Sequence, residues 1–151
     1  MTGRAPLTTV RLEPMRAEHL PVILALEEQL FGGEAWTEGM LRDELAAPES
    51  RHYVVALIEA EIVGYAGLVS YDHEAHVTTI GVVPGHRCRG VGTAMLADLL
   101  SAAGVRRVLL EVEAGNAAAQ RLYARNGFTP VGLRRRYYRS TGADAVVMAR
   151  A

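Results

Sequence analysis

One stretch constrains the fold of this chain more than any other, because an apolar segment, a glycine-rich turn and a helical pattern follow one another directly. The apolar segment spans residues 77–83, and the helical pattern spans residues 94–103. The first N–H groups of a helix have no internal acceptor and lie at the positive end of the helix dipole. Glycines let the backbone approach an anion closely. This order of elements therefore predicts a phosphate-binding turn that consists of Arg87, Cys88, Arg89, Gly90, Val91, Gly92 and Thr93.

Two common phosphate-binding motifs do not fit this turn. No Gly-Lys-Ser or Gly-Lys-Thr sequence follows it, as a P-loop would require. Met95 occupies the third glycine position of a dinucleotide-binding fingerprint. Because a bare Gly-x-Gly also fits a tight turn that simply needs glycine, these residues alone leave the ligand open.

Composition limits the chain to one folded domain. Its 151 residues are 50% hydrophobic, which is enough for a core and excludes a disordered chain. Sixteen basic and seventeen acidic residues give a net charge of −1, which provides no general attraction to nucleic acid or membranes. With one cysteine and no apolar run near ~20 residues, we expect a cytoplasmic chain without a membrane segment. We expect a flexible lead-in over residues 1–7 and a single domain over residues 8–151.

Hydrophobic periodicity predicts one alternating series of strands and helices. Helical spacing links Leu20, Ile23 and Glu27, and Thr37 has the chemistry to cap the next helix. The second and third strands form one antiparallel hairpin, and the last two strands form another. The predicted strands span residues 8–15, 53–58, 62–71, 77–83, 108–113, 128–138 and 144–148, and the predicted helices span residues 20–31, 37–45, 94–103 and 117–125.

Four motifs together resemble the GNAT family of N-acetyltransferases. Arg-x-x-Gly-x-Gly, formed by Arg87, Gly90 and Gly92, is similar to the family's loop for the acetyl-CoA pyrophosphate. A strand at residues 80–83 precedes this loop, a strand at 108–112 follows its helix, and residues 116–128 contain the family's Asn, Leu-Tyr and Asn-Gly-Phe positions. The resemblance extends over nearly the whole chain. It implies an α/β (α+β) GNAT fold, with a mixed, mostly antiparallel sheet that is flanked by helices and splayed between its two central strands.

The resemblance also implies that acetyl-CoA is the cosubstrate, that it lies in this splay, and that no metal takes part. His73 and His76 form His-x-x-His, but they span a turn and a strand start rather than one helix face, which disfavours a metal site. Cys88 stands where family members often carry a basic residue, so we expect it to act through its backbone N–H. The implied acetyl-CoA-binding residues are Ile80, Gly81, Val82, Arg87, Cys88, Arg89, Gly90, Val91, Gly92, Thr93 and Asn116.

Glu111 is the candidate general base. It interrupts the apolar run of the strand at 108–112, where a carboxylate is costly unless it is paired or functional. Burial would raise its pKa toward the range that suits a general base, and the resemblance implies a proton-accepting glutamate here. The alternative is a glutamate at the open end of the strand that pairs with an arginine. Glu113, two residues further on the same strand face, fits a solvated rim position or a proton relay.

Tyr123 is the candidate general acid. It lies seven residues after Asn116, so the two residues fall near one face of the same helix. A phenol carries a transferable proton and is neutral at physiological pH. The resemblance implies that this tyrosine meets the CoA sulfur and protonates the departing thiolate, while Asn116 contacts the pantetheine arm and caps the helix. The alternative is a core aromatic residue whose hydroxyl is satisfied.

A basic and aromatic segment occupies residues 134–139. Arginine and tyrosine can bind RNA, but strand alternation would send Arg135 and Tyr137 to one face. The same alternation would send Arg136 and Tyr138 to the other face, so we expect no continuous patch and no direct nucleic-acid binding. Arg-Arg-x-Tyr-Tyr, with Asp-Ala-x-x-Met at residues 144–148, resembles the RimI group of the family, which acetylates the N-terminal alanine of a small-subunit ribosomal protein. The substrate-binding residues implied by this resemblance are Trp36, Tyr137 and Tyr138.

The resemblance implies direct transfer of an acetyl group from acetyl-CoA to the N-terminal α-amino group of a protein, with a ribosomal protein as the acceptor partner. One alternative is a small-molecule amine acetyltransferase on the same fold, because the pyrophosphate-loop motifs concern only the donor. The other is a catalytically silent acyl-CoA-binding module, and the presence of both Glu111 and Tyr123 argues against it. No motif specifies the oligomeric state.

Overall fold

The computed structural model describes residues 9–87 and 89–151. Residues 1–8 and Cys88 lie outside the described residues. Three predictions therefore fall outside them as well, namely the lead-in, the first residue of the first predicted strand and the role of Cys88. The described residues contain seven strands and four α-helices, joined in places by short 3₁₀ turns. Their bounds are β1 (Arg11–Pro14), α1 (Leu20–Phe31), α2 (Glu38–Leu45), β2 (Arg51–Ile58), β3 (Glu61–Ser70), β4 (Glu74–Val82), α3 (Val91–Ala103), β5 (Arg107–Glu113), α4 (Ala117–Arg125), β6 (Thr129–Tyr138) and β7 (Ala143–Arg150).

Capping side chains set the starts of two helices. The Thr37 Oγ1 accepts a hydrogen bond from the Met40 N–H at 3.2 Å, one turn into α2. The Asn116 Oδ1 accepts one from the Ala119 N–H at 3.1 Å, one turn into α4. Both caps confirm the prediction from the sequence. They fix where the chain leaves the loop before α2 and the end of β5 before α4.

The strands form a single sheet in the order β1-β2-β3-β4-β5-β7-β6 within the described residues. Every neighbouring pair is antiparallel except β4 and β5, which run parallel. A parallel pair requires a crossover connection, and α3 supplies it between β4 and β5. The predicted mixed, mostly antiparallel sheet is confirmed.

The parallel pair separates after three residues. Glu74–His76 of β4 pair with Arg107–Leu109 of β5. Beyond that point β4 continues to pair with β3, and β5 continues to pair with β7. The two central strands therefore diverge toward their carboxyl ends and leave a wedge-shaped gap in the sheet. This gap confirms the predicted splay.

Alternating side chains of the sheet support a core on each face. On β2, Val54 and Ala56 pack with α3 and α4 in one apolar cluster. The intervening Val55 and Leu57 pack with α1 and α2 in a second cluster on the opposite face. Because both faces are covered, the middle of β2 is a continuous buried apolar run.

Several predicted boundaries shift by one to three residues, and the shifts in β4 and α3 bear on the gap in the sheet. β4 begins at Glu74 rather than at Val77, because Ala75 and His76 already pair with β3 on one side and with β5 on the other. α3 begins at Val91 rather than at Ala94, so the helix already includes Val91, Gly92 and Thr93, the last three residues of the glycine-rich turn. Among the described residues, no helix has the length and apolar character needed to cross a bilayer.

Candidate active site

A cleft of about 1510 Å³ occupies the gap between β4 and β5. Small-ligand pockets commonly measure about 300–1,000 Å³, so this cleft has room for an extended ligand and a second molecule. We call the part formed by Ile80–Val82, by His86, Arg87, Gly90, Gly92 and Thr93, and by α4 the glycine side. We call the part formed by residues 34–36 and 134–141 the aromatic side. Glu111 and Tyr123 both line the cleft, together with residues of each side.

The glycine side contributes backbone hydrogen-bonding groups to the cleft. Past His76, the β4 edge that faces the cleft has no strand partner within the described sheet, because β5 has turned away. The first helical hydrogen bond of α3 runs from the Ala94 N–H to the Gly90 carbonyl at 2.9 Å. The N–H groups of residues 91–93 therefore have no acceptor inside the helix, and they lie at its positive end. This arrangement suits an anion such as a pyrophosphate.

Glycine is needed at two positions of the turn for different structural reasons. Gly90 adopts a φ of +82°, a conformation that side chains disfavour, and a β-carbon built there would meet nothing within 4 Å. Gly92 has an ordinary φ, but a β-carbon there would lie 3.1 Å from the Leu122 Cδ2. Gly90 therefore shapes the turn and keeps the space in front of it open. Gly92 allows the start of α3 to pack closely against α4.

The predicted acetyl-CoA-binding residues fall into two groups, those that line the cleft and those that do not. Those that line the cleft are Ile80, Gly81, Val82, Arg87, Gly90, Gly92, Thr93 and Asn116. Arg89 is exposed and is not among the residues lining the cleft. Val91 is 1% exposed and its side chain packs in the core, so only its backbone N–H is available to a ligand. Cys88 lies outside the described residues.

Glu111 combines features of both interpretations that the sequence left open. Its carboxylate lines the cleft, and its side chain is 24% exposed rather than fully buried. The Arg134 Nε lies 3.6 Å from the Glu111 Oε1, so the arginine pairing is present. An ion pair of this length and exposure is weak, and it leaves the carboxylate accessible from the cleft. Glu113 is exposed at the rim.

Tyr123 is a core residue whose side chain reaches the cleft. It is 5% exposed, and its ring packs against Phe128 with the ring centroids 5.9 Å apart. Burial, with a smaller contribution from nearby Tyr138, raises the pKa of the Tyr123 phenol. The phenol therefore keeps its proton at physiological pH. Across the described residues, no hydrogen bond engages its hydroxyl, so the satisfied hydroxyl of the core-aromatic interpretation is not observed.

The aromatic side brings together three residues that the sequence singled out. The Trp36 ring meets the Tyr53 ring edge-on, with centroids 6.5 Å apart. Tyr137 and Tyr138 form a second edge-on pair with centroids 5.0 Å apart. Partial burial, followed by the effects of Tyr137 and Glu111, raises the pKa of Tyr138 to about 12. Trp36, Tyr137 and Tyr138 all line the cleft.

The predicted alternation along residues 134–139 is wrong. Arg134 pairs with Ala145 and Tyr138 pairs with Ala143, so β6 bulges by two residues relative to β7. The bulge is fixed by Arg136, whose φ is +51° and whose N–H donates to the Asp144 Oδ1 at 2.8 Å. A bulge interrupts the twofold alternation of side chains. Residues 134–139 all line the cleft.

Two loops that are far apart in sequence meet at the aromatic side. The Ser140 N–H donates to the Glu34 Oε1 at 2.9 Å. This hydrogen bond lowers the pKa of Glu34, with a smaller contribution from Arg139. At Gly33, a β-carbon would lie only 2.8 Å from the Ser140 Cβ. The loop before α2 and the turn between β6 and β7 are therefore in close contact.

The sequence did not single out Glu27 as a functional residue. It is 1% exposed, lines the cleft on the side of α1, and accepts hydrogen bonds from three different segments. The signal was present, because Glu27 shares the helical spacing of Leu20 and Ile23 on an otherwise apolar face. Its partners could not be read from spacing, since they come from separate elements.

The described residues contain no cluster of three His, Cys, Asp or Glu side chains that could hold a metal ion. The His76 Nε2 instead lies 3.3 Å from the Glu74 Oε2 on the same strand.

Comparison with known proteins now identifies the class. The chain belongs to the acetyltransferase (GNAT) family, whose model matches residues 20–128. Members of this family use acetyl-CoA, so the splayed sheet and its glycine-rich turn are those of an acetyl-CoA-dependent acetyltransferase.

Particular relatives narrow the comparison. The chain is 46% identical over 132 residues to the N-alpha-acetyltransferase RimI of Mycobacterium tuberculosis, an alignment that covers 83% of this chain and 82% of that protein. It is 30% identical over 144 residues to a Bacillus subtilis protein named as a candidate ribosomal protein bS18-alanine N-acetyltransferase, with 93% and 95% coverage. Its fold superposes on the crystal structure of the ribosomal-protein-S18-alanine N-acetyltransferase from Escherichia coli with a TM-score of 0.83, 27% identity, and 94% and 93% coverage.

Proposed function

We propose that this chain transfers the acetyl group of acetyl-CoA to the N-terminal α-amino group of a protein, and that its acceptor is the N-terminal alanine of a small-subunit ribosomal protein. Among the relatives that it matches over most of its length, one is named as an N-alpha-acetyltransferase and two as alanine N-acetyltransferases of ribosomal protein S18. The observation that carries the proposal is the cleft itself. It has an anion-binding helix start at one side, an aromatic surface at the other, and Glu111 and Tyr123 on its walls.

Acetyl-CoA fits the glycine side. Its pyrophosphate would accept hydrogen bonds from the N–H groups of residues 91–93, with the Arg87 guanidinium adding positive charge. Its pantetheine arm would run along the unpaired edge of β4 at Ile80–Val82 and meet Asn116. Because β4 leaves β5 at this point, the arm can pass between the strands and deliver the thioester to the middle of the cleft.

The proposed chemistry is direct transfer without a covalent enzyme intermediate. Glu111, acting through a water molecule, removes a proton from the acceptor ammonium, whose usual pKa is about 7.7–8.0. The amine nitrogen then attacks the thioester carbonyl carbon, so that a C–N bond forms as the C–S bond breaks. Tyr123 donates its proton to the departing thiolate, and the second proton, which the attacking nitrogen loses as it becomes an amide nitrogen, returns through water to the Tyr123 phenolate. The buried Tyr123 phenol is protonated at neutral pH, as a general acid must be before the C–S bond breaks.

The aromatic side fits an extended chain end. Trp36, Tyr137 and Tyr138 offer flat, amphipathic surfaces to the first peptide units of the acceptor. The contact between Glu34 and Ser140 joins the loop that carries Trp36 to the turn that follows Tyr138. An N-terminal amine on a short, extended backbone is well matched to such a wall, whereas a lysine amine arrives on a long flexible stem beside a bulky chain.

Mass spectrometry tests the proposal. The protein is incubated with acetyl-CoA and a peptide that starts with the N-terminal alanine of a small-subunit ribosomal protein and also contains a lysine. We expect one acetyl group on the α-amine and none on the lysine. The control is the same peptide with its α-amine blocked, which should stay unmodified. Acetylation confined to lysine, or equal acetylation of the blocked peptide, would reject the proposal.

A further inference from the structure

A buried carboxylate organises the wall that carries Trp36. Glu27 is 1% exposed, and its Oε1 accepts the Trp36 backbone N–H at 2.8 Å. Its Oε2 accepts the Tyr65 hydroxyl at 2.5 Å and the Thr79 hydroxyl at 3.2 Å. The three donors come from the loop before α2, from β3 and from β4. One side chain of α1 therefore connects the aromatic side of the cleft to the central strands.

Packing alone does not require a carboxylate at position 27. Glu27 occupies a helix position whose neighbours on the same face, Leu20 and Ile23, are buried and apolar. A carboxylate in such a place is costly unless its oxygens are hydrogen-bonded, and all its described partners are neutral donors. A leucine would fill the same space without that cost. The carboxylate is therefore suited to a task that an apolar side chain cannot perform, which is to accept the Trp36 N–H.

We propose that Glu27 is a positioning residue for the acceptor: by holding the Trp36 backbone it fixes the acceptor-binding wall, and so sets the affinity for the acceptor and not for acetyl-CoA. This inference rests on the proposed function for the identity of the acceptor. Its effect on Trp36 itself does not depend on that identity. Glu27 is not a catalytic residue, because its oxygens are already engaged by three donors and are shielded from solvent.

To hold the Trp36 backbone, Glu27 needs the length of its side chain rather than its negative charge. In Glu27→Gln the amide oxygen can still accept the Trp36 N–H, while the amide NH₂ donates to the hydroxyls of Tyr65 and Thr79, which can act as acceptors. Glu27→Asp keeps the charge but is one methylene shorter, so it cannot hold all three donors at these distances. Positioning predicts that Gln is tolerated and Asp is not. A direct role for the charge, such as binding the acceptor ammonium, predicts the opposite order.

Trp36 provides a readout that is independent of the acceptor, because it is the only tryptophan in the chain. Its fluorescence emission would be compared for the wild type, Glu27→Gln and Glu27→Asp. The matched controls are Glu28→Gln and Glu28→Asp, since Glu28 is the exposed neighbour on the same helix. We expect the emission to shift only in Glu27→Asp, with thermal melting showing that every variant is folded.

Kinetics with the Ala-starting peptide complete the test. We expect Glu27→Asp to raise the acceptor KM roughly tenfold, the scale of a lost hydrogen bond to a charged group, and to leave the Kd for acetyl-CoA unchanged in calorimetry. Glu27→Gln should stay within about threefold of the wild type. An inactive Gln variant beside an active Asp variant would overturn the proposal, as would wild-type emission and KM in both. An equal loss of acetyl-CoA affinity in Glu27→Asp would also overturn it. If no peptide is acetylated at all while Trp36 emission shifts as expected, the proposed function fails and the positioning contact stands.

Discussion

The glycine side of the cleft is built from backbone, whereas the aromatic side is built from side chains that long-range hydrogen bonds hold in place. On the glycine side, the N–H groups of residues 91–93 and the free edge of β4 face the cleft. On the aromatic side, Trp36 is held by Glu27, and the turn after β6 is held by Glu34 through a contact that spans 106 residues of sequence. The two sides therefore respond differently to mutation.

The difference matches the ligands that the two sides are proposed to bind. Acetyl-CoA presents the same pyrophosphate and pantetheine to every enzyme of the family, and backbone groups recognise them without any particular side chain. The acceptor varies between enzymes, and side chains on loops can change without disturbing the sheet. Binding of the donor and recognition of the acceptor should therefore be separable by mutation, with Tyr123 as the point where they meet.

The largest expected effect is on chemistry, where the two sides meet. Tyr123→Phe removes only a hydroxyl that has no hydrogen-bond partner within the described residues, so folding and both binding affinities should be nearly unchanged. We expect kcat to fall by ~10²–10⁴-fold, the usual contribution of a general acid. Single-turnover kinetics, with acetyl-CoA binding measured in parallel, checks this. Wild-type turnover under conditions where chemistry is rate-limiting would return Tyr123 to a packing role.

Gly90→Val should damage the glycine side alone. A β-branched residue at a φ of +82° is strained and would project into the open space before the helix start. We expect the Kd for acetyl-CoA to rise about tenfold or more, corresponding to roughly 1–3 kcal/mol, with little change in acceptor KM at saturating donor. Gly85→Val is the matched control, because Gly85 has an ordinary φ and open surroundings and does not line the cleft. Unchanged affinity for acetyl-CoA in a folded Gly90→Val protein would contradict the claim that backbone groups of the glycine side bind acetyl-CoA.

Tyr138→Leu should damage the aromatic side alone. The substitution removes one ring of the pair with Tyr137, and such aromatic contacts contribute about 0.5–1.5 kcal/mol. We expect the acceptor KM to rise several-fold, on the order of what that energy implies, while the Kd for acetyl-CoA stays constant. Tyr71→Leu serves as the control, since Tyr71 is an exposed aromatic residue paired edge-on with His76 away from the cleft. If both substitutions raised the acceptor KM equally, Tyr138 would have no specific role in acceptor binding.

The smallest effect concerns the exposed hydrogen bond between Glu34 and Ser140. This bond lowers the pKa of Glu34 below its usual value of 4.5, so the charged carboxylate favours the folded state. Its contribution should be complete above pH 4.5 and should disappear as the pH falls through the lowered pKa of the folded protein. The Tm difference between the wild type and Glu34→Gln should therefore be constant near neutral pH and shrink in acid. A difference that does not vary with pH would show that the charge of Glu34 has no part in this contact.

The same division explains which features could be predicted from the sequence. The splay and the caps at Thr37 and Asn116 depend on local backbone geometry or on motif spacing, and the structure confirms them. The bulge at Arg136 could not be predicted, because it depends on how β6 pairs with β7 and on a contact with Asp144. The partners of Glu27 lie on three separate segments, and no period within one helix encodes them.

Burial of the two candidate catalytic residues also depended on tertiary structure. The sequence marked Glu111 as a polar interruption of an apolar strand, but its pairing with Arg134 depends on the position of β6, which β7 separates from β5 in the sheet. The role of Tyr123 was implied by the resemblance to the GNAT family, whereas the burial that raises its pKa comes from packing against Phe128 and the core. The resemblance pointed to both residues, and only the assembled sheet defined their surroundings.

One measurement tests the central claim most directly, namely that the cleft acetylates the N-terminal amine of a protein chain. kcat/KM is compared for an Ala-starting ribosomal peptide, for the same peptide blocked at its N-terminus with an internal lysine available, and for spermidine. The α-amine has the lower pKa, near 8 against about 10.4 for lysine, so Glu111 can remove its proton more easily near neutral pH. We predict that the free N-terminus is acetylated with a kcat/KM far above that of either other acceptor. Equal values for spermidine or for the blocked peptide would contradict the claim.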